Sequence, residues 1–368
     1  MKKLYSTILA ILLILMQTST AFAIPNTDPL ALDSVCYEAN NVVNAALQQH
    51  IVPDQDQITA LYLANSIPLY EVNSNNEVVE VDTIEYYPVL DQNGIARGMI
   101  VARLQDANSS AILEYNTMFC SELNMLMQNS SSICFIFDQT NIYIFDGTEY
   151  FSVLQDSIPD MSRGILNSAN MESVQLRRSS IVAVEQCDLA STCDPSITGQ
   201  LYVPLINQDN WKKGGCWAAC AVSVGNYVSS GNLTIDDVMQ KYADGKDEPK
   251  LISTIQTVLD KEYGIKTYYK GGAVKLSTVI EQIKAGTNQG DPIIARVAYM
   301  WLLDGHFIVI RGFTYNPGFE TNYVTIMDSL SHAYRTLSTI RSGDDSLIQY
   351  TTPTGSTVYS IDMYLLLN

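Results

Sequence analysis

The residues best suited to do chemistry lie in one short run in the second half of the chain. In this run Gln208 precedes a glycine pair, Gly214 and Gly215, and the glycines are followed directly by Cys216 and Trp217. Small and apolar residues then recur at helical spacing, which predicts that the cysteine stands in the first turn of a helix. The positive end of a helix dipole favours a thiolate. The pattern therefore indicates a nucleophilic cysteine, with the Gln208 amide available to stabilise an oxyanion.

A nucleophilic thiol needs a base, and the chain has three histidines. His306 follows a glycine and opens an apolar, β-branched run that predicts a buried strand. A later run of the same kind ends in Asp328, whose carboxylate can orient an imidazole. His50 and His332 lack such neighbours, and we expect them at the surface. The sequence thus pairs Cys216 with His306 and Asp328.

These features stand in a fixed order along the chain: Gln208, Cys216-Trp217, Gly305-His306 and Asp328. In this order they resemble the papain-like cysteine peptidases, and within them the bacterial C39-like and staphopain-like branches. The resemblance covers roughly residues 198–368 and implies an α+β, two-lobed domain. Its N-terminal helical lobe would carry the nucleophile, and its C-terminal antiparallel sheet would carry the base. It also implies catalytic roles for Cys216, His306 and Asp328, and an oxyanion-hole role for Gln208.

Two departures from the papain pattern bear on the mechanism. Papain has asparagine where Asp328 stands, which keeps transglutaminase-like acyl transfer open as an alternative. Many relatives continue with Pro-Trp where this chain has Ser329-Leu330, which removes a usual shield of the histidine. Because a thiolate already balances the imidazolium, the third residue needs only to accept a hydrogen bond. We therefore expect Asp328→Asn to retain at least about a tenth of the activity. A non-catalytic surface-binding protein on a peptidase-like scaffold is the third alternative.

The first 23 residues have the pattern of a secretory signal peptide. Lys2 and Lys3 precede an apolar core that ends before Ala21-Phe22-Ala23. This core is too short for a stable bilayer span, and no later stretch approaches the roughly 20 apolar residues that a span needs. We expect a secreted protein without stable membrane insertion.

Charge divides the remaining chain into two parts. Residues 24–197 hold 23 acidic and 5 basic residues, whereas residues 198–368 hold 16 and 14. The acidic surplus argues against nucleic acid as a partner, because phosphates require a basic surface. We interpret 24–155 as an acidic α+β prodomain and 156–197, with Arg177-Arg178, as a linker. We hypothesise that the prodomain inhibits the enzyme, that acid loosens it, and that cleavage between Arg177 and Tyr202 removes it. The expected partners are therefore this prodomain and a protein or peptide substrate.

Local patterns predict further elements in both parts. In the first part, a periodic segment predicts a helix at 32–51, and alternating segments predict strands at 77–90, 95–104, 133–138 and 141–145. This part weakly resembles the half-barrel propeptides of staphopain-like peptidases. In the second part helices precede strands: Thr234 is predicted to cap one helix, Gly264 to end another, and Ser277 to cap a third that ends at Gly286.

The remaining cysteines allow disulfides but do not fix their pairing. Setting Cys216 aside leaves six, an even number that suits an exported protein. Cys187 and Cys193 are close enough to close a small loop, and Cys220 is expected to pack one turn beyond Cys216. No Cys-x-x-Cys or His-x-x-x-His spacing occurs, and no glycine-rich phosphate loop follows a strand. We therefore expect neither a metal nor a cofactor.

Overall fold

The structure is a computed structural model. It describes residues 32–103 (without 74 and 76), 112–128, 132–138, 142–152, 176–189 (without 182), 196–298, 305–316, 321–342 (without 332), 345–351 and 358–368. The predicted signal peptide, Cys193 and His332 lie outside these residues.

The described residues form helices and strands in both parts of the chain. The α-helices are α1 Leu32–Gln48, α2 Cys120–Met127, α3 Cys216–Ser229, α4 Ile235–Ala243, α5 Ile252–Tyr263 and α6 Leu276–Gln282. The strands of residues 32–200 are β1 Leu61–Ala64, β2 Ile67–Val72, β3 Val78–Asp91, β4 Ala96–Arg103, β5 Ile112–Asn116, β6 Ser132–Phe137, β7 Ile142–Phe145, β8 Tyr150–Ser152, β9 Ser179–Ser180, β10 Ala183–Leu189 and β11 Ile197–Gln200. Those that follow are β12 Thr267–Gly271, β13 Gly286–Thr287, β14 Ile293–Ala298, β15 Gly305–Tyr315, β16 Tyr323–Asp328, β17 Ala333–Ser342, β18 Asp345–Thr351 and β19 Val358–Leu367.

The first module, residues 32–189, is built around the long strand β3. Strands β1 and β2 pair with one edge of β3, and β4 pairs with the other through a hairpin whose turn contains Gly94 at φ 75°. Aromatic and aliphatic side chains of these strands pack against α2, with Tyr86, Phe119 and Phe135 in mutual ring contact. Such burial stabilises the sheet by roughly 25 cal/mol for each Å² of apolar surface removed from water.

The second module, residues 197–368, contains a closed antiparallel barrel. Each strand from β14 to β19 pairs with the next, and β19 pairs back with β14. Within the barrel, β17 pairs with β18 only over Thr339–Ser342, so its edge at Arg335–Leu337 is open to a strand from outside the barrel. The barrel and the helices α3 to α6 share one apolar core, in which Trp217 of α3 is fully buried. The α+β class expected from the sequence is therefore confirmed.

The two modules share one continuous run of strands, because β5 pairs on one edge with β4 and on the other with barrel strand β17. A disulfide between Cys36 of α1 and Cys187 of β10 links the two ends of the first module. Residues 33–368 consequently form one compact unit.

The structure settles one open question and changes two expectations. Cys187, whose pairing the sequence left open, bonds to Cys36, because β10 lies beside β1 and brings Cys187 to α1. Part of the segment interpreted as a linker forms strands β9 and β10. The predicted cap Ser277 lies inside α6, whose N-cap is Lys275, and the Ser277 hydroxyl donates to Asp345. This helix ends at Gln282, before the predicted end at Gly286.

Other local signals are confirmed. Thr234 forms a reciprocal capping box with Asp237, and Gly264 ends α5 in the left-handed region at φ 69°. Among the described residues, no helix has the length and apolar character needed to cross a membrane.

Candidate active site

The start of α3 is shaped by close contacts that only glycine permits. A Cβ on Gly215 would lie 2.5 Å from Trp211 Cβ and 2.7 Å from the Trp211 carbonyl oxygen. A Cβ on Gly214 would lie 2.1 Å from the backbone of Glu248. The Asp247 carboxylate accepts hydrogen bonds from the Lys213 and Gly214 N–H groups and so fixes this loop. These contacts set Cys216 as the first helical residue, where the positive end of the helix dipole favours a thiolate.

The structure brings Cys216, His306 and Asp328 together. Gly305 and His306 begin β15, Asp328 ends β16, and these two strands are neighbours in the barrel. His306 Nε2 lies 2.8 Å from Asp328 Oδ1, and the imidazole also hydrogen-bonds the Cys216 side chain. Since Nε2 faces the carboxylate, Nδ1 is the ring nitrogen left for the thiol.

All three side chains are buried, which strengthens their mutual electrostatics. Burial alone would lower the pKa of His306, but the Asp328 carboxylate and the Cys216 thiol raise it to about 9. Burial alone would raise the pKa of Asp328, but His306 and Arg335 hold it well below its usual range. The arrangement therefore favours a protonated imidazole between Asp328 and Cys216, the partner that a nucleophilic cysteine requires.

Asp328 accepts four hydrogen bonds, more than sequence reasoning assigned to it. Oδ1 accepts from His306 and from the Leu330 N–H at 3.0 Å. Oδ2 accepts from Arg335 Nη1 at 2.7 Å and from the Tyr350 hydroxyl at 2.9 Å. Both oxygens are thus fully engaged, and the plane of the carboxylate is fixed from two sides.

Gln208 is held next to the nucleophile by Ser329. The Ser329 hydroxyl donates to Gln208 Oε1 at 2.6 Å, which fixes which end of the amide is the donor. Gln208 Nε2 then faces the carbonyls of Trp211 and Lys212 at 3.4 Å each, long contacts that an oxyanion can compete with. A Cβ on Gly215 would lie 3.2 Å from Gln208 Cβ, so the amide is adjacent to the start of α3.

Sequence reasoning missed Ser329, Arg335 and Tyr350. The ring centroid of Tyr350 lies 5.7 Å from that of His306, so an aromatic group from β18 covers the histidine in the absence of a Pro-Trp pair after Asp328. No local pattern marks these residues, because each acts across strands.

Cys220 is fully buried with a free thiol, and its pKa is raised by burial, as suits a packing residue. His50 lies at the end of α1, far in the chain from these elements, and its Nδ1 contacts Gln55 Nε2 at 2.7 Å.

Arg335 connects this site to the first module. Its Nε and Nη2 donate to Glu114 Oε1 and Oε2, both at 2.7 Å, while Nη1 donates to Asp328. A further bond runs from Nη2 to the Thr351 carbonyl at 2.5 Å. Arg335 and Glu114 are both buried, so the guanidinium bridges two buried carboxylates. Within the described part of the chain, no cluster of three or more His, Cys, Asp or Glu residues is arranged to hold a metal ion.

Comparison with protein families agrees with the motif. Residues 200–348 match the model of the Peptidase_C39 like family, a range that contains Gln208, Cys216, His306 and Asp328. This match confirms the predicted resemblance of the second module to C39-like cysteine peptidases. No curated protein matches the chain.

Proposed function

We propose that the chain is a secreted cysteine endopeptidase that hydrolyses peptide bonds through a thioester. The observation that carries the proposal is the buried contact chain from Cys216 through His306 to Asp328 at the N-terminus of α3. The family match over residues 200–348 supports cysteine peptidase chemistry in the second module. We also propose that the second module is divided, as in papain-like peptidases, into a helical lobe and a sheet lobe.

Each step of the reaction has a group in place. The Cys216 thiolate attacks the peptide carbonyl, while the Gln208 amide and the Cys216 N–H stabilise the oxyanion. The first N–H groups of an α-helix have no intrahelical acceptor, so the Cys216 N–H is available for this. His306 gives its proton to the leaving amine and then takes one from the water that hydrolyses the thioester.

Export and processing are part of the same proposal. Residues 1–23 would direct export as a signal peptide and then be removed. Arg177 and Arg178 are exposed, as a processing site requires. The proenzyme hypothesis, however, takes a different form once the contacts of the first module are considered. We propose a precursor that is cut between Arg177 and Tyr202 but keeps the first module bound.

A thiol-directed epoxide tests the chemistry directly. Purified protein is incubated with an epoxysuccinyl probe, and its intact mass is compared with that of Cys216→Ala. We expect one adduct on the wild type, none on the variant, and hydrolysis of peptides by the wild type only. Absence of the adduct would favour the non-catalytic binding protein.

Acyl transfer is tested in the same assay by adding a primary amine. A peptidase releases a free carboxylate, whereas a transglutaminase-like enzyme releases ammonia from a glutamine side chain and forms a new amide. We expect hydrolysis to dominate. Incorporation of the amine as the main product would require the alternative.

A further inference from the structure

A single buried arginine joins the candidate active site to the first module. Arg335 lies on barrel strand β17, and Glu114 lies 221 residues earlier on β5. The guanidinium donates two parallel bonds to Glu114 and a third to Asp328. Paired charge-assisted bonds of this kind fix orientation as well as distance.

The backbone around this contact is equally specific. In the ladder between β5 and β17, Arg335 stands opposite Asn116, and Leu337 stands opposite Glu114. Arg335 and Glu114 are therefore diagonal neighbours on one face of the sheet. Asn116 Nδ2 donates to Glu114 Oε1 at 3.3 Å, which helps to hold the carboxylate towards the guanidinium. Both the position and the orientation of Glu114 are set by strand pairing.

We propose that Glu114 is a positioning residue for the candidate active site, and that the first module therefore stays in the active enzyme as a structural part of it. The inference rests on the proposed chemistry of Cys216. Glu114 fixes the guanidinium of Arg335, which fixes the Asp328 carboxylate, which in turn orients His306. Removing the first module would leave Arg335 without two of its bonds and would expose the edge of β17, and removing one partner from a buried ionic network is strongly destabilising.

Other contacts keep the first module in place after a backbone cut. The disulfide between Cys36 and Cys187 means that cleavage between Arg178 and Cys187 leaves the two pieces covalently linked. Gln49 Nε2, at the end of α1, donates to the carbonyls of Gly199 and Phe313 at 3.2 and 2.9 Å. Cleavage at any bond of the predicted processing interval that precedes Cys187 thus separates the backbone without releasing the module.

The test compares Glu114→Gln with Glu80→Gln in the full-length protein. Both variants remove one carboxylate that pairs with an arginine, but Glu80 pairs with Arg177 at the surface, where the two side chains are 42% and 68% exposed. Glu114 and Arg335 are 4% and 0% exposed. The pair of variants separates the loss of a charge from the loss of this buried contact.

Two measurements are made on each variant: kcat/KM on a peptide, and the rate of Cys216 alkylation by iodoacetamide across pH. For Glu114→Gln we expect kcat/KM to fall about ten- to a hundredfold, because the histidine is less well positioned. We also expect the alkaline limb of both profiles to move to lower pH, since removing a nearby negative charge destabilises the imidazolium. Glu80→Gln should change neither measurement.

If Glu114 had a purely structural role, Glu114→Gln would lower the melting temperature without moving the alkaline limb of the pH profiles, and that result would overturn the proposal. Identical behaviour of Glu114→Gln and Glu80→Gln would also overturn it. Alkylation does not require peptide hydrolysis. A shifted alkylation limb in a protein that cleaves no peptide would therefore support the role of Glu114 while refuting the endopeptidase proposal.

If Glu114→Gln does not fold, the wild-type protein decides the question. Processed protein is labelled with the epoxysuccinyl probe, purified by size exclusion under non-reducing conditions, and sequenced from each N-terminus. We expect peptides from 32–189 in equal amount to the labelled second module. A labelled, active species without those residues would overturn the proposal.

Discussion

Replacing Asp328 by asparagine is the most informative single change, because the sequence and the structure predict different outcomes. From the sequence, an amide at this position should serve, since its oxygen can accept the bond from His306. In the structure the second oxygen also has partners, Arg335 Nη1 at 2.7 Å and the Tyr350 hydroxyl at 2.9 Å. The tyrosine hydroxyl can turn and accept from an amide, but a guanidinium has no acceptor.

Either orientation of the new amide is therefore unfavourable. With its oxygen towards His306, the NH₂ group meets the Arg335 donor in a buried site, which costs about 1–3 kcal/mol for one unsatisfied donor. With its oxygen towards Arg335, the NH₂ group faces His306 Nε2 and imposes the tautomer that carries its proton on Nδ1, next to Cys216. In serine peptidases a wrong tautomer costs about 10⁴ in kcat.

We accordingly expect Asp328→Asn to lower kcat/KM by about 10² or more, equivalent to about 2.7 kcal/mol. We expect the free energy of unfolding to fall by about 1–3 kcal/mol. Steady-state kinetics on one peptide and urea denaturation measure the two quantities. Asp345→Asn, which also removes a carboxylate from a barrel strand, is the control and should retain nearly full activity.

A triple variant separates the clash from the loss of charge. Adding Arg335→Met and Glu114→Gln to Asp328→Asn removes the opposing donor without leaving a buried carboxylate unpaired. The free energy of unfolding should then recover relative to Asp328→Asn alone, while kcat/KM should stay low because Arg335 and Glu114 no longer position residue 328. If Asp328→Asn keeps a tenth or more of the wild-type kcat/KM at unchanged stability, the Arg335 contact does not constrain the site and the reasoning is refuted.

Three further predictions test other contacts. The pKa of His306 is raised from 6.5 to about 9, so its protonated imidazole contributes stability that is complete below pH 6.5 and is lost as pH rises through about 9. Both kcat/KM and the melting temperature should fall over that pH range, and flat profiles would contradict the pairing of His306 with Asp328. Gln208→Ala should lower kcat/KM by about 10² to 10³ with folding intact, and Ser329→Ala by less, since it only frees the Gln208 amide to turn; unfolding of Gln208→Ala would mean a structural role. Gly215→Ala should cost about 1–3 kcal/mol and reduce activity, because its Cβ meets the Trp211 backbone; calorimetry and kinetics that match the wild type would refute this.

Short-range patterns explain what the sequence predicted well. The helical start at Cys216, the strands that carry His306 and Asp328, and the Thr234 cap all depend on residues within a few positions of one another. Periodicity and capping rules capture such relations. The order of the motif then suggested which elements meet, even though no single residue type specified it.

The missing parts of the site depend on contacts between distant segments. Glu114 belongs to a five-residue strand that shows no strong pattern by itself, and its role follows only from the pairing of β5 with β17. The partner of Cys187 was likewise set by the pairing of β10 with β1, not by the nearest cysteine in the chain. Register across a sheet is a tertiary property, so neither contact could be read from local sequence.

The acidic surplus of residues 24–197 also has a different meaning in the structure. The sequence suggested that acid would loosen this module by neutralising its attraction to a basic rim. The modules are instead joined by main-chain hydrogen bonds between β5 and β17, which carry no titratable proton, and by the Glu114–Arg335 contact.

Burial raises the pKa of Glu114 despite Arg335, so the folded protein binds this proton more readily than the unfolded chain does. Protonation of Glu114 at low pH therefore does not by itself favour unfolding, because by linkage a group that binds protons more tightly when folded stabilises the fold as pH falls. Exposed pairs such as Arg177 with Glu80 contribute only about 0–1 kcal/mol to stability. Mild acid should therefore leave the first module attached.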